Sequence, residues 1–565
     1  MKFLYRFTLI FLLICAVLQM PSAQNSTLLH LNKSFYVTGE VLWYKFYLPK
    51  AYEQKAVTLE VVISDDKGAV VSRYFLQNEG KSYVSSYYKI PFDLKSAWYR
   101  LSIFPTGNLK DLESKEIIAI KEQLPDLPSE NTDVVLSSIT FPIYNDLAAI
   151  DQIIADDFSG QPNSDLEDLQ IEIQLNQSNY SPREQVFVEV SVKDKSGNPL
   201  ASDISVSVSD SRLIENSLIK KEKLAAFLGN EIAVRGTFKN ENGQAVRASV
   251  LGMYSSLEDR IFYSSADENG QFAFKPPLFY GERPVQFIGY QFEHMEVSID
   301  LKKRQLPPIE QALIYTEKIK EYIALSRQRK KIFQLYKSLE SQIEPAEIEL
   351  DVLDLEPSAT YIIDEYESFE FMYDFFGELL TPLKFFLQKD STYRASIYNP
   401  TGRRSANTEL SGTPLFIIDG KLTRDADFVA RMDMDYIQKV ELMYKTDNLR
   451  KKLKAIGRSG VAKITTNLRD VPMAEKDAED LFTINGLQTK ADFPTFDANK
   501  ISVSQPFFRP QLYWNPGLQS DKNGKANFSF YQSDDVSPFV IRVVVQGEND
   551  AFGYTEKVYE VKAKK

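Results

Sequence analysis

Val186, Val188, Val190 and Val192 alternate with Phe187, Glu189 and Ser191. Extended backbone points successive side chains to opposite faces, so this segment is a strand with one uniformly apolar face; a helix would scatter the valines around its axis. The same two-residue period returns in Ile204-Ser205-Val206-Ser207-Val208-Ser209, in Ala526, Phe528 and Phe530, and in Phe539, Ile541, Val543 and Val545. The turn Asp194-Lys195-Ser196-Gly197-Asn198-Pro199 predicts that the first two segments pair as a hairpin of a half-buried sheet. Strand-length runs rich in Val, Tyr, Phe and Leu fill Ser26 to Glu122, with Ser64-Asp65-Asp66-Lys67-Gly68 between two of them. A further β unit spans Glu231 to Leu301, with turns at Asn240-Glu241-Asn242-Gly243 and Asp267-Glu268-Asn269-Gly270. The expected fold class is mainly β: serial antiparallel β-sandwiches with an inserted long helix and one small α+β domain.

These sheets must be held by their cores. Cys15 is the one cysteine, and it lies in an N-terminal segment with Lys2 and Arg6 followed by an apolar run from Phe7 to Leu18. That run is too short to span a bilayer and predicts a signal peptide over 1–23. Leu12-Leu13-Ile14-Cys15 faintly matches a lipid-acceptor motif, but Ile14 is too bulky for it. With the signal removed, no cysteine remains for disulfides, thiolate metal sites or nucleophilic catalysis. A chain of 565 residues, 43% hydrophobic and 12% aromatic, supplies several cores of about 100 residues each. The net charge of −12 argues against nucleic acid, whose binding selects basic faces that release counterions. No apolar run beyond the signal reaches the ~18 residues of a membrane helix.

The predicted divisions are a sandwich over 24–125, a strand and linker over 126–165, a sandwich over 166–230, another over 231–305, a helix over 306–345, an α+β domain over 346–470, and a linker with a C-terminal sandwich over 471–565. Pro307-Pro308 suits the first turn of a helix, and Tyr315, Ile319, Tyr322, Ile323, Ile332, Leu335, Tyr336 and Leu339 recur at helical spacing, which predicts a helix from Ile309 to Gln342. Further on, a helix is expected over Glu365 to Leu380, then a hairpin of Leu383–Gln388 and Thr392–Tyr398 about Lys389-Asp390.

Lys33, Tyr36, Gly39-Glu40 and Trp43 resemble the opening strands of macroglobulin-like domains. Tyr180, Arg183-Glu184 and the run to Pro199 look like a second such domain, with Arg183 where the family has glycine. Val234-Arg235-Gly236-Thr237-Phe238 with Gly270-Gln271-Phe272-Ala273-Phe274 is similar to carboxypeptidase-regulatory-like sandwiches, which carry no peptidase chemistry. Pro414 to Gly420, Met434 to Leu442 and Gly457 to Thr466 resemble the plug domain of TonB-dependent outer-membrane receptors. Leu512-Tyr513-Trp514-Asn515-Pro516 and Asp521 to Ala526 are similar to the terminal sandwich of the same architecture. This order is similar to a family of exported Bacteroidota proteins. Fewer than about 100 residues follow Thr466, while even an eight-stranded barrel needs ~10 per strand plus turns, so the expectation is that the chain is not itself a channel. Without a mature cysteine, thioester trapping of proteases is impossible.

Chemistry-bearing residues are sparse. His30 and His294 are the two histidines, and neither sits in a His-Glu-x-x-His arrangement. Gly457-Arg458-Ser459-Gly460 lacks the order of a nucleophile elbow and reads as a tight turn before Val461–Thr466. Asp433/Asp435 and Asp534/Asp535 are pairs that 78 acidic residues produce readily. Asp267–Gly270 and Asp521–Gly524 lack the distal ligands of a calcium loop and read as hairpin turns. Arg450-Lys451-Lys452-Leu453-Lys454 through Arg458 reads as a solvated helix face. The expectation is therefore no catalytic, cofactor-binding or metal residue, no cofactor, and no enzymatic activity. The expected role is a non-catalytic interaction or scaffold protein at the outer membrane, periplasm or cell surface of a Gram-negative bacterium. Its expected partner is an outer-membrane or envelope protein engaged through the plug-like domain. A glycan- or peptide-binding module using Trp43, Trp98 and Trp514 is the alternative, and a cryptic hydrolase a third.

Overall fold

The computed structural model describes residues 26–106, 134–147, 166–213, 219–224, 228–240, 242–245, 247–289, 295–299, 306–336, 356–379, 381–400, 408–445, 449, 453, 456–469, 473–474 and 481–563. The predicted signal peptide, Cys15, His294 and most of the basic cluster 450–458 lie outside them.

The first sandwich contains β1 (Ser26–Leu31), β2 (Tyr36–Val37), β3 (Val41–Tyr47), β4 (Thr58–Ser64), β5 (Val70–Gln77), β6 (Tyr83–Lys89), β7 (Ala97–Pro105) and β8 (Ser137–Tyr144). One sheet runs β1-β3-β6 and the other β2-β8-β7-β4-β5. Their inward residues, among them Leu29, Tyr44, Phe46, Val61, Leu101 and Phe141, form one buried core. β8, from the segment read as strand and linker, completes this sandwich by pairing with β7.

The second sandwich repeats that plan with strands from two distant segments. β9 (Gln170–Leu175), β10 (Asn179–Tyr180), β11 (Gln185–Lys193) and β12 (Asp203–Asp210) are joined by β29 (Gln511–Gln519), β30 (Lys525–Tyr531), β31 (Pro538–Gln546) and β32 (Phe552–Val561). The sheets run β9-β11-β30 and β10-β32-β31-β12-β29, matching the first sandwich strand for strand. Even the parallel pairing of a two-residue second strand with the last strand recurs, in β2 with β8 and β10 with β32. Two expectations are corrected here. The segments 166–230 and 471–565 do not form separate sandwiches, because each supplies half of one core: Val186, Val188, Ile204 and Val206 meet Phe528, Phe530, Ile541 and Val543. Nor do β11 and β12 pair as a hairpin. β11 bonds to β9 and β30, and β12 to β29 and β31, so the chain crosses between sheets at Pro199. A half-buried strand needs only some apolar layer opposite, and alternation cannot say whether that layer is the next strand or one far along the chain.

Within this interruption, β13 (Ile219–Lys223) returns to pair with the edge strand β1. The third unit is one antiparallel sheet in the order β19-β14-β17-β16-β15-β18-β28: β14 (Val234–Asn240), β15 (Ala248–Ser255), β16 (Arg260–Ala266), β17 (Gln271–Phe274), β18 (Glu282–Gly289), β19 (Met295–Ile299) and β28 (Leu481–Asn485). It curls around Phe238, Met253, Phe272, Phe274 and Phe287. β28 comes from the stretch read as a linker and pairs with β18.

The long helix, α1 (Glu317–Tyr336), begins later than Pro307 suggests. Residues 306–316 lie along the first sandwich instead: Ile309 N–H donates to Asp66 O (2.7 Å), Trp98 Nε1 to Ala312 O (3.0 Å), and Tyr144 Oη to Ile314 O (2.7 Å). Thr316 Oγ1 then accepts from Ile319 N (3.2 Å), the bond of an N-cap. The buried face of α1 carries Ile319, Tyr322, Ile323, Ser326 and Arg329, and Ile319, Tyr322 and Ile323 pack on Phe35, Val37 and Tyr144.

The α+β unit has a central sheet in the order β20-β26-β27-β24-β25: β20 (Ala359–Ile362), β24 (Leu415–Ile418), β25 (Lys421–Thr423), β26 (Ile437–Met443) and β27 (Val461–Thr466). A smaller sheet has β21 (Leu383–Leu387), β22 (Tyr393–Asn399) and β23 (Thr408–Glu409), the first two forming the predicted hairpin. Two short helices are α2 (Met372–Glu378) and α3 (Ala426–Ala430). α2 is shorter than the expected 365–380 because extended Phe371 bridges Asp433, and Met434 N–H donates to Glu370 O (3.1 Å).

Candidate interaction surface

Strand alternation sets the orientation of the α+β unit. Leu415, Ile417, Met443 and Val461 on one face of its central sheet pack on Tyr254, Ile261 and Ile288 of the third unit. Phe416, Ile418, Val440, Leu442 and Ile464 on the other face are covered by Met372, Phe375 and Phe376 of α2, Val429 of α3, and Leu383 and Ile397 of the hairpin. The central strands are buried on both faces, which is why Leu415–Ile418 reads as an unbroken apolar run. Gln286 locks the junction, donating from Nε2 to Leu422 O and accepting from Leu422 N–H, both at 2.7 Å. Lys463 Nζ adds an ion pair to Asp259 (2.5 Å).

The layer of α2, α3 and the hairpin therefore faces away from the third unit, and it carries partly exposed aromatics. Phe371 stacks on Tyr373 (5.5 Å, 16°), and Tyr373 on Tyr393 (4.7 Å, 16°). Arg431 caps the row 5.3 Å from the Tyr393 ring, held by Asp427 and by Ser391 O. Beside it Phe386 is exposed, with Arg394 4.9 Å from its ring, and Leu387 is 65% exposed at the end of β21, an edge strand of its sheet. Their irregular spacing gives no periodic signal in the sequence; only folding sets 371, 373 and 393 side by side.

The residues singled out in the sequence fall elsewhere. Trp43, Trp98 and Trp514 are each 4% exposed. Trp43 packs on Tyr87 (5.4 Å) and Phe493 (5.6 Å), and Trp514 on His30 (5.2 Å). Asp433 caps a short turn by accepting from Asp435 N (2.9 Å). Asp534 forms a two-pronged ion pair with Arg183 (2.7 and 2.8 Å), and Asp535 pairs with Arg329 (2.8 Å). Asp267 Oδ1 accepts from Asn269 N and Gln271 N, and Asp521 Oδ1 from Asn523 N and Lys525 N, all at 2.8–2.9 Å. These carboxylates are bound by their own turns. Ser459, in the turn before β27, donates to Ser411 O (2.7 Å).

His30 lies in a seam between the two sandwiches. Its Nδ1 contacts Ser205 Oγ (2.7 Å), which also accepts from Tyr47 Oη (2.8 Å). Burial, then Arg542 and Lys45, lower its pKa to about 3, so the imidazole is neutral. Ser205 is fully buried on β12, so the pair is closed to substrate. Lys45 is also fully buried, with Tyr47 and Tyr83 rings each 4.0 Å from its ammonium and Ile204 O at 3.4 Å. Burial holds it well below the ordinary lysine range, and Asp203 offsets only part of that. Among the described residues no three His, Cys, Asp or Glu side chains converge to hold a metal, and no helix is long and apolar enough to cross a membrane.

No family model matches this chain, and no curated protein does either. Among solved structures, Escherichia coli alpha-2-macroglobulin activated by porcine elastase aligns at 8% identity and a TM-score of 0.23, over 95% of this chain and 44% of that one. The native conformation of E. coli alpha-2-macroglobulin gives 7% and 0.23, over 96% and 40%. The E. coli adhesin FdeC gives 10% and 0.13, over 52% and 64%. The chain thus spans less than half the length of the macroglobulin structures it is aligned with, and at such TM-scores the likeness bears on neither fold nor function.

Proposed function

We propose that this chain is a non-catalytic interaction or scaffold protein of a Gram-negative envelope or cell surface, and that its plug-like α+β unit contacts an outer-membrane protein or complex. The observation that carries this reading is the outward layer of that unit, where Phe371, Tyr373 and Tyr393 stack beside exposed Phe386 and Leu387. Rigid aromatics beside an arginine are what interface centres favour, because they bury much area at little cost in side-chain entropy. The two sandwiches and the third unit act as a frame that presents this layer. The glycan-binding alternative drew on three indoles, all of which are packed.

Crosslinking in intact envelopes tests the proposal. The full chain is expected to capture a defined outer-membrane protein, and a Tyr393→Ala/Leu387→Asp variant to lose it. Recovery of the chain alone, or capture unaffected by the double substitution, overturns the reading.

A further inference from the structure

A second feature lies outside the α+β layer, at an edge of the first sandwich. In the sheet β13-β1-β3-β6, β13 closes one side and β6 is the other edge. Leu48 N–H donates to Ser82 O (2.8 Å) and Ile90 N–H to Glu40 O (2.9 Å). Even-numbered residues of β6 therefore bond to β3, and Tyr83, Ser85 and Tyr87 turn their main-chain N–H and C=O groups outward. Tyr87 O is met by Gln488 Nε2 (2.9 Å). Among the described residues, no backbone bond meets the outward groups of Tyr83 and Ser85 or the Tyr87 N–H.

A cavity of about 340 Å³ runs along this edge, between β6, residues 487–493 and Asn515-Pro516-Gly517 of β29. Val84 lines it although its side chain is buried in the first core, so the cavity meets β6 through main chain. The Tyr83 hydroxyl faces Gly517, where a Cβ would come within 2.8 Å of it; glycine there leaves it uncovered. Charges around the cavity balance: Glu79 pairs with Lys490, and Lys81 is offset by Asp492. Such a lining suits an uncharged occupant. A strand edge repeats its donors and acceptors every second residue, about 7 Å apart, and another extended main chain matches that repeat. Two other edges of this molecule are closed in this way by strands from far along the chain, β1 by β13 and β18 by β28.

We propose that β6 accepts an extended, uncharged peptide segment of a partner protein as an added strand, paired through the main chain of Tyr83 and Ser85 and the Tyr87 N–H. No residue of this edge belongs to the α+β unit, so this proposal and the scaffold reading stand or fall apart.

The test titrates the full chain by calorimetry with a neutral peptide of alternating threonine and valine, seven residues long and blocked at both ends. Two analogues carry the same side chains but are N-methylated either at every valine or at every internal threonine. In an added strand only alternate N–H groups face the edge, so one analogue is expected to bind at least ~10-fold more weakly than the parent and the other within about 2-fold of it. Ser85→Pro removes an outward N–H and leaves the β3–β6 ladder intact, as proline on an edge strand does. It is expected to weaken the parent peptide at least ~5-fold, while Ser85→Ala leaves binding unchanged, with the melting midpoint as a check on folding. No saturable binding of the parent, equal effects of the two methylation patterns, or full affinity in a folded Ser85→Pro variant overturns the proposal. Should that variant fail to fold, the methylated pair decides.

Discussion

Arg183 and Gly39 hold equivalent corners of the two sandwiches, and their difference is informative. Tyr36 Oη bonds to Asn32 Oδ1 (2.7 Å), which also accepts from Trp43 N (2.8 Å); Tyr180 Oη bonds to Asn176 Oδ1 (2.8 Å), which accepts from Phe187 N (3.0 Å). Glu40 and Glu184 close the turns by accepting from Val37 N and Ser181 N. Gly39 takes the left-handed backbone (φ 82°) without strain, whereas Arg183 takes it (φ 63°) at a cost that its side chain offsets. The guanidinium holds Asp534 and reaches the carbonyls of Ser502 (3.0 Å) and Gln505 (2.6 Å), tying the corner to the returning C-terminal segment. Arg183→Gly keeps the backbone and removes only these bonds, and is expected to cost about 2 kcal/mol in urea denaturation. Arg183→Ala keeps the strain as well, and is expected to cost ~0.5–1 kcal/mol more.

Buried titratable groups at the seam support two further predictions at this scale. Lys45 is removed from water without a close carboxylate bond, so Lys45→Met, similar in length and without the charge, is expected to raise stability by ~1–3 kcal/mol in the same assay. His30 titrates near 3 when folded and near 6.5 when unfolded. Below the unfolded value the unfolded chain binds a proton that the folded one refuses, so this contribution is present above pH ~6.5 and is lost as the pH falls. Unfolding free energy should drop by about 1 kcal/mol between pH 6.5 and 5.5, and His30→Gln should flatten that slope. An equal slope in the variant would mean that other groups cause the acid sensitivity.

At the scale of elements, five turns share one chemistry. Asp65, Asp194, Asn240, Asp267 and Asp521 each accept through a side-chain oxygen from the backbone N–H groups two and four residues on. Gly68, Gly197, Gly243, Gly270 and Gly524 then supply the left-handed fourth position. These turns were legible in the sequence because each is local. What each turn connects was not: Asp65–Ala69 joins the paired strands β4 and β5, while Asp194–Asn198 leads β11 across to the opposite sheet. The equivalent of the β4–β5 turn in the second sandwich is the whole of 211–510. All the residues of that sandwich's core lie in 166–210 and 511–562. A fusion of those two segments through a copy of Asp65–Ala69 is therefore expected to fold alone, giving a β-type circular dichroism spectrum and a cooperative melt. A molten or aggregated product would show that the insertion is needed to close the core.

On the scale of the whole molecule, the nesting ties parts distant in sequence. α1 bridges the two sandwiches, with Tyr322 on Glu40 and Arg329 between Asp535 (2.8 Å) and Asp210 (3.8 Å). The seam beneath it mixes polar bonds with apolar contact: Lys50 pairs with Asp203, Ser82 bonds to Asp203 (2.8 Å) and Gln546 Nε2 donates to Leu48 O (2.8 Å), while Leu28 and Tyr47 pack on Val544 and Phe552. Inter-domain faces of this kind are weaker than a shared apolar core. Removing residues 511–565 is expected to be severe all the same, because it strips β9 to β12 of their opposing strands and exposes Val186 to Val192; the product should aggregate on refolding.

The sequence by itself determined the class of the fold, since two-residue alternation and Asx-Gly turns act over a few residues and leave β structure as the way to bury these valines and phenylalanines. It also marked the matching corners at Tyr36–Glu40 and Tyr180–Glu184. Only the tertiary structure decided which halves close which core, where the extended run after Pro307 gives way to α1, and which aromatics remain at the surface. The physical reason is that apolar faces are non-specific in what covers them, so the partner of each face is chosen by the global packing.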